Sequence, residues 1–283
     1  MSTPGATSDA RRVPVVIAGA AGRMGRMLVT LAASDPAVRL AGGFEAPDHR
    51  DLDQDLGRIA GIPDVGIALG AGLPDGDLRG AVLIEFTAPE PSLEHLRAAR
   101  ERGFAVVLGT TGFNAEQQRE IDDLARDVAL VQAPNMSLGV TVLLGLVEEA
   151  ARRLGPAFDI EVSETHHRRK KDAPSGTALA LARAAVAGRD GRFEDWAVYG
   201  REGLVGERPS DQIGVLALRG GDVVGDHTVH FFGTGERVEL THRAQSRESF
   251  AAGALRAAVW VGGRKPGRYT MRDVLGLAPA ARQ

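Results

Sequence analysis

The 283-residue sequence contains no cysteine. That excludes disulfides, thiolate metal ligands and a cysteine nucleophile, and it fits a reducing compartment such as the cytoplasm. No stretch offers the ~20 consecutive apolar residues that a membrane span needs. Neither charge is in excess: the formal net charge is -3 and the sequence pI is about 6.2, so nothing general draws the chain to nucleic acid or to an anionic membrane. Internal repeats and low-complexity tracts are absent. The first twelve residues are polar, with Pro4, Gly5 and several hydroxyl residues but no apolar centre. They lack a secretory signal pattern and are expected to form a disordered tail.

What remains is the composition of a packed globular protein, 43% hydrophobic and 25% charged, long enough for two domains. The first half alternates short apolar runs with amphipathic stretches. Strands are expected at 13–19, 38–45, 81–87, 104–108 and 128–132, and helices at 23–33, 91–102 and 114–127. Such alternation implies a parallel sheet with helical crossovers. After Pro134 the pattern changes. A long apolar helix over 137–154 precedes a strand at 158–165, a basic loop and a helix over 174–186. Three strands at 213–219, 226–232 and 237–243 then follow with short turns, as in a mixed or antiparallel sheet. A helix over 247–261 and a short one over 271–275 close the chain. The expected fold class is therefore α/β, a Rossmann-type parallel-sheet domain plus an α+β mixed-sheet domain. A composition break near Asn135 marks the expected domain boundary.

The strand at Val13 enters a turn through Gly19, Ala20, Ala21, Gly22, Arg23, Met24 and Gly25. Small residues let the backbone approach a pyrophosphate, and the helix that follows offers free N–H groups and its positive end. The spacing is G-x-x-G-x-x-G, a variant of the dinucleotide fingerprint. Glu45 ends the second strand, where such domains place the acid that takes the ribose hydroxyls. A carboxylate there repels a 2′-phosphate, which favours NADH over NADPH, although His49 and Arg50 follow closely enough to hold that phosphate. Gly109-Thr110-Thr111-Gly112 and Ala133-Pro134-Asn135-Met136 follow two later strands, at the edge where an open parallel sheet binds ligands.

The second concentration of chemistry is Glu164-Thr165-His166-His167-Arg168-Arg169-Lys170-Lys171-Asp172-Ala173-Pro174-Ser175-Gly176-Thr177. A cationic run often makes a solvated loop, but that does not account for the Pro-Ser-Gly-Thr helix start. A nucleic-acid patch lacks interleaved aromatics. A metal site lacks ligands at workable spacing, and no metal is expected. A helix N-terminus beside a lysine and two histidines suits carboxylates and proton transfer.

These blocks, taken together and in order, resemble the 4-hydroxy-tetrahydrodipicolinate reductase (dihydrodipicolinate reductase) family of bacterial diaminopimelate and lysine biosynthesis. Gly225-Asp-His-Thr228 and Gly235-Glu-Arg-Val-Glu-Leu-Thr-His242 are also similar, and the likeness runs from Val13 to about Leu277. The resemblance implies an NAD(P)H-dependent oxidoreductase acting on a cyclic imine with two carboxylates. It implies His166 and Lys170 as catalytic proton-transfer residues. It implies His167 and the Gly176–Thr177 backbone as substrate contacts, to which the helix start adds Ser175, and Gly19–Met24, Glu45, Gly109–Thr111 and Ala133–Met136 as cofactor contacts, to which the glycine turn adds Gly25. It further implies that the C-terminal helix completes the first domain, giving 13–135 with 247–283 against 136–246 with hinges near Asn135 and Ser246, that the second domain builds a homotetramer, and that the two domains close for transfer. Ala46 departs from members that carry arginine after the ribose-binding acid, which weighs against good NADPH use. A catalytically silent dinucleotide sensor would not need the His166/Lys170 block. A different imine or amino-acid dehydrogenase would not need two carboxylate subsites.

Overall fold

The computed structural model describes residues 12–76 and 78–277. The segment read as a disordered tail therefore lies, apart from Arg12, outside the described residues. The chain forms two compact units. The first holds the chain up to Met136 together with Phe250–Leu275, and the second is built on Ser137–Ser249. Met136 thus sits with the first unit, and the chain returns to it at Phe250.

The first unit contains a six-stranded sheet, formed by β1 (Val13–Ala18), β2 (Val38–Phe44), β3 (Val82–Glu85), β4 (Ala105–Leu108), β5 (Ala129–Gln132) and β11 (Gly267–Tyr269). Its spatial order is β11-β5-β4-β3-β1-β2, and every pairing is parallel. The central strands are short and wholly apolar until their last residue, which is the pattern of strands covered on both faces. Val16, Leu83, Val106 and Leu130 meet in one core. The crossovers carry α1 (Arg23–Ser34), α2 (Leu56–Ala60), α3 (Pro89–Glu101) and α4 (Ala115–Leu124). Local chemistry sets their starts. Asn114 and Gln117 form a reciprocal capping box on α4, Pro89 opens α3 two residues before the expected start, and Asp55 caps α2. β11 and α2 were not expected from the sequence.

The second unit begins with α5 (Leu138–Leu154), capped by Ser137, whose hydroxyl accepts the Val140 N–H. A 3-10 turn leads into β6 (Asp159–His166), then α6 (Gly176–Ala187), the short α7 (Phe193–Trp196) and β7 (Ala197–Val198). β8 (Ile213–Arg219), β9 (Gly225–Gly233) and β10 (Glu236–Ala244) complete a sheet of order β10-β9-β6-β8-β7. β6 runs antiparallel to β9 and parallel to β8, so the sheet is mixed. Residues alternate strictly along β6. Ile160, Val162, Glu164 and His166 are buried, and Asp159, Glu161, Ser163 and Thr165 are less so. The apolar members pack with Val147, Leu181 and Ala185 from α5 and α6. Leu216, Leu218 and Phe232 remain exposed.

α8 (Glu248–Val261) returns the chain to the first unit, and α9 (Met271–Val274) follows. A Cβ on Gly253 of α8 would lie 1.8 Å from the Met136 carbonyl oxygen. Only glycine admits that approach, so Gly253→Ala is expected to cost about 1–3 kcal/mol by overpacking. Scanning calorimetry checks it, and an unchanged unfolding temperature for the first unit would contradict the close contact.

Candidate active site

In the first unit, the segments proposed to hold a cofactor all sit at the carboxyl edge of the parallel sheet. Gly19–Gly25 joins β1 to α1, Glu45 directly follows β2, Gly109–Thr111 follows β4, and Ala133–Met136 follows β5. Gly19 has a φ of +63°, and a Cβ on Gly25 would lie 2.1 Å from the Gly19 carbonyl oxygen. The turn therefore closes only with glycine at both places. The N-cap of α1 is Gly22, which supplies no side-chain cap. The first-turn N–H groups are left to a ligand, an arrangement that fits a pyrophosphate.

The Glu45 carboxylate accepts the Ala21 N–H at 3.1 Å, so the acid is fixed against the glycine turn. His49 and Arg50 do not turn toward it: the His49 ring nitrogen accepts the Asp51 N–H, and Arg50 is exposed beside Asp51. Thr110 is buried and accepts a hydrogen bond from Ser92 at 2.9 Å. Gly109 lies against the Phe86 ring, which a Cβ would meet at 2.1 Å.

In the second unit, His166, His167, Lys170, Ser175, Gly176 and Thr177 gather where β6 ends and α6 begins. Ser175 is the N-cap of α6, so the helix starts at Gly176 rather than Pro174; the peptide bond between Ala173 and Pro174 is cis. The Ser175 hydroxyl accepts the Ala178 N–H. Its own proton is then free to go to His227 Nε2, 3.0 Å away. Space beside Gly176 is open, with no atom within 4 Å of a Cβ built there. The chain after His166 is pinned by backbone bonds, the His167 N–H to Val223 and the Gly220 N–H to His166. His167 keeps a buried Nδ1 that lacks a hydrogen-bond partner. Lys170 pairs with Asp172 at 2.9 Å, and chiefly that hydrogen bond holds the Asp172 carboxyl below its ordinary value.

Three residues beneath this surface were not singled out from the sequence. Glu164 has a fully buried side chain. Arg219 donates to both of its oxygens, at 2.8 and 2.9 Å. His166 Nδ1 lies 2.6 Å from the Glu164 carboxylate, and the Ser175 N–H donates to it at 3.0 Å. Burial pushes Glu164 upward, but the hydrogen bonds from Arg219, His166 and Ser175 outweigh it and hold the carboxyl below its ordinary value. His227 is buried edge-on to His166, with ring centroids 5.1 Å apart. Burial, and then the proximity of His166, lower its pKa to about 4. A signal for Glu164 was available, since it falls in the inward phase of β6, after Ile160 and Val162. Arg219 and His227 carried no such signal; strand register brings them in, with His166 opposite Arg219 and Glu164 opposite His227. A fourth unforeseen residue is Glu85 of the first unit, fully buried at the end of β3 with His95 Nδ1 at 2.6 Å.

A parallel sheet with a glycine turn at its edge, joined to a mixed-sheet unit bearing a histidine–lysine site, defines an oxidoreductase of the Rossmann type. The model for the dihydrodipicolinate reductase N-terminus matches residues 13–136 and that for its C-terminus residues 139–275. The chain belongs to the dihydrodipicolinate reductase family. It is 50% identical over 267 residues to the 4-hydroxy-tetrahydrodipicolinate reductase of Rubrobacter xylanophilus, covering 94% of this chain and 100% of that protein. To the same enzyme of an Anaeromyxobacter species it is 51% identical, over 95% of this chain and 99% of the other. The fold also matches a dipicolinate-bound dihydrodipicolinate reductase from Paenisporosarcina. The TM-score is 0.70 at 24% identity, with 92% of this chain and 97% of that one covered.

The buried imidazole of His227 has a consequence for stability. In the folded protein it stays neutral down to about pH 4, whereas its ordinary value is 6.5. Between those values the unfolded chain binds the extra proton, so stability is full above about 6.5 and falls as pH drops toward about 4, by up to roughly 3 kcal/mol. Denaturant titrations at several pH values are expected to show a shallower fall for His227→Asn. An identical fall in both proteins would show that His227 is not the group responsible.

Proposed function

We propose that the protein reduces 4-hydroxy-tetrahydrodipicolinate to tetrahydrodipicolinate with NADH or NADPH, in diaminopimelate and lysine biosynthesis in the cytoplasm. The observation that carries this reading is the cluster of His166, Lys170 and the Ser175-capped start of α6 on one edge of the second unit, in a chain that belongs to a family of reductases.

The substrate is a cyclic imine with two carboxylates. The start of α6 and His167 bind a carboxylate: the helix end is positive, a hydroxyl lies beside it, and Gly176 leaves room. Loss of the ring hydroxyl as water leaves a conjugated imine. A nicotinamide held by Gly19–Gly25, Glu45, Gly109–Thr111 and Ala133–Met136 would supply hydride for ring C4, and the adjacent ring carbon needs a proton. His166 and Lys170 handle the protons of these steps. The surrounding cations stabilise negative charge that develops on the ring.

The cofactor is held at the edge of the first unit's sheet by Gly19–Gly25, Glu45, Gly109–Thr111 and Ala133–Met136. NADH is the preferred form. Support comes from Glu45, whose carboxylate is fixed by the Ala21 N–H and would repel a 2′-phosphate, and from Ala46 in place of a following cation. The assembly is a homotetramer formed by the second unit, with Leu216, Leu218 and Phe232, exposed in the single chain, as contact residues.

A coupled assay with freshly generated substrate tests the activity. Lys170→Ala and His166→Ala are each expected to lower kcat by roughly 100-fold or more while leaving the NADH Kd unchanged. Wild-type turnover in both variants would refute the role assignment. In the same assay, kcat/KM with NADH is expected to exceed that with NADPH, and the reverse order would overturn the preference argued from Glu45.

A further inference from the structure

We propose that Glu164, held by Arg219, is the positioning residue of the proton-transfer site, fixing His166 so that Nδ1 is committed to the carboxylate and Nε2 alone exchanges protons. This rests on the reading of His166 as a proton-transfer residue.

The geometry carries the proposal on both sides of the ring. An ionised carboxylate only accepts hydrogen bonds, so the 2.6 Å contact requires the proton on His166 Nδ1. Glu164 cannot swing away from that contact. Arg219 grips both of its oxygens, and the Ser175 N–H takes a further lone pair. On the opposite side of the imidazole stands Gly225, where a Cβ would lie 2.9 Å from His166 Nε2. Any side chain there would crowd the working nitrogen. Glu164 also receives the N–H of the residue that caps α6, so one carboxylate sets the proton-transfer group and the start of the helix proposed to bind the substrate carboxylate.

Charge sets the direction of the effect. The groups around the His166 ring are Glu164 on its own strand, Arg219 on β8, His227 on β9, and Lys170 and Asp172 in the following loop. Asp172 is already paired with Lys170. Neutralising Glu164 therefore removes the carboxylate in contact with the imidazole and leaves the cations Arg219 and Lys170 nearby, which disfavours the imidazolium.

The test compares wild type, Glu164→Gln, Glu164→Asp and His166→Ala. It combines steady-state kinetics across pH, NADH binding, and 15N NMR of the histidine rings with His166 assigned by its loss in His166→Ala. The proposal expects a wild-type His166 protonated at Nδ1 when neutral. In Glu164→Gln, kcat is expected to fall roughly 10-fold or more with the NADH Kd unchanged, and the limb of the kcat/KM profile due to His166 to move to lower pH. Glu164→Asp keeps the charge, so it is expected to retain the position of that limb while losing part of kcat. A residue that only supports the fold would leave the limb and the tautomer where they are. Wild-type kcat and an unmoved limb in Glu164→Gln, against an impaired His166→Ala, would overturn this proposal alone. Wild-type turnover in His166→Ala would overturn it together with the functional reading on which it rests.

Discussion

The buried carboxylate of Glu164 is the constraint around which the second unit is organised. Desolvating a carboxylate costs several kcal/mol, and the interior returns that only when its lone pairs are met with good geometry. Here two guanidinium N–H groups, one imidazole nitrogen and one backbone N–H converge on it. They come from β8, from two residues further along β6, and from the cap of α6. Moving any of these elements would strip a partner from a buried charge. This is why β6 can carry apolar residues inward at Ile160 and Val162 and then change, in the same phase, to Glu164 and His166. The first half of the strand builds the core and the second half builds the site.

The first unit repeats the device in another setting. Glu85 ends the apolar run of β3 and is fully buried. It takes the Thr87 N–H at 2.7 Å and His95 Nδ1 at 2.6 Å. In each unit, then, a glutamate near the carboxyl end of an interior strand gathers a histidine and a downstream backbone N–H. The surroundings differ in a way that suits different tasks. His95 packs edge-on against Phe44, so the pair ties α3 to the strand ends. His166 instead has Gly225 beside its second nitrogen, and Arg219 holds its glutamate.

The alternation of apolar runs and amphipathic stretches made most of both sheets legible in the sequence, because strands buried on two faces and helices buried on one leave different periods. β11 left no such trace. Gly267–Tyr269 has neither alternation nor an apolar run, and it is a strand because β5 offers a free parallel edge. α2 has five residues, too few to show a period, and its start depends on Asp55, which also accepts the N–H groups of Val65, Gly66 and Ile67. The site divides in the same way. Segments whose backbone must turn sharply or bare its N–H groups show themselves in composition, as at Gly19–Gly25 and Ser175–Thr177. Arg219 and His227 act through side chains delivered by register from about 50 residues away, and single-sequence spacing does not encode that distance.

The two helix starts present an anion with different surroundings. α1 begins at a glycine with no side-chain cap, and the turn before it is too tight for a side chain on Gly25. What it offers is bare backbone and a positive helix end, which suits the spread charge of a pyrophosphate. α6 begins at a serine whose hydroxyl takes the Ala178 N–H and faces His227. The pKa of His227 is depressed to about 4, chiefly by burial, so it is neutral at physiological pH and adds no charge to the site. The positive field at α6 therefore comes from the helix end and from Lys170 rather than from the buried imidazole behind it. Such a local field suits a compact carboxylate, while Glu164, facing the strand side of the same cap, keeps its own charge neutralised by Arg219.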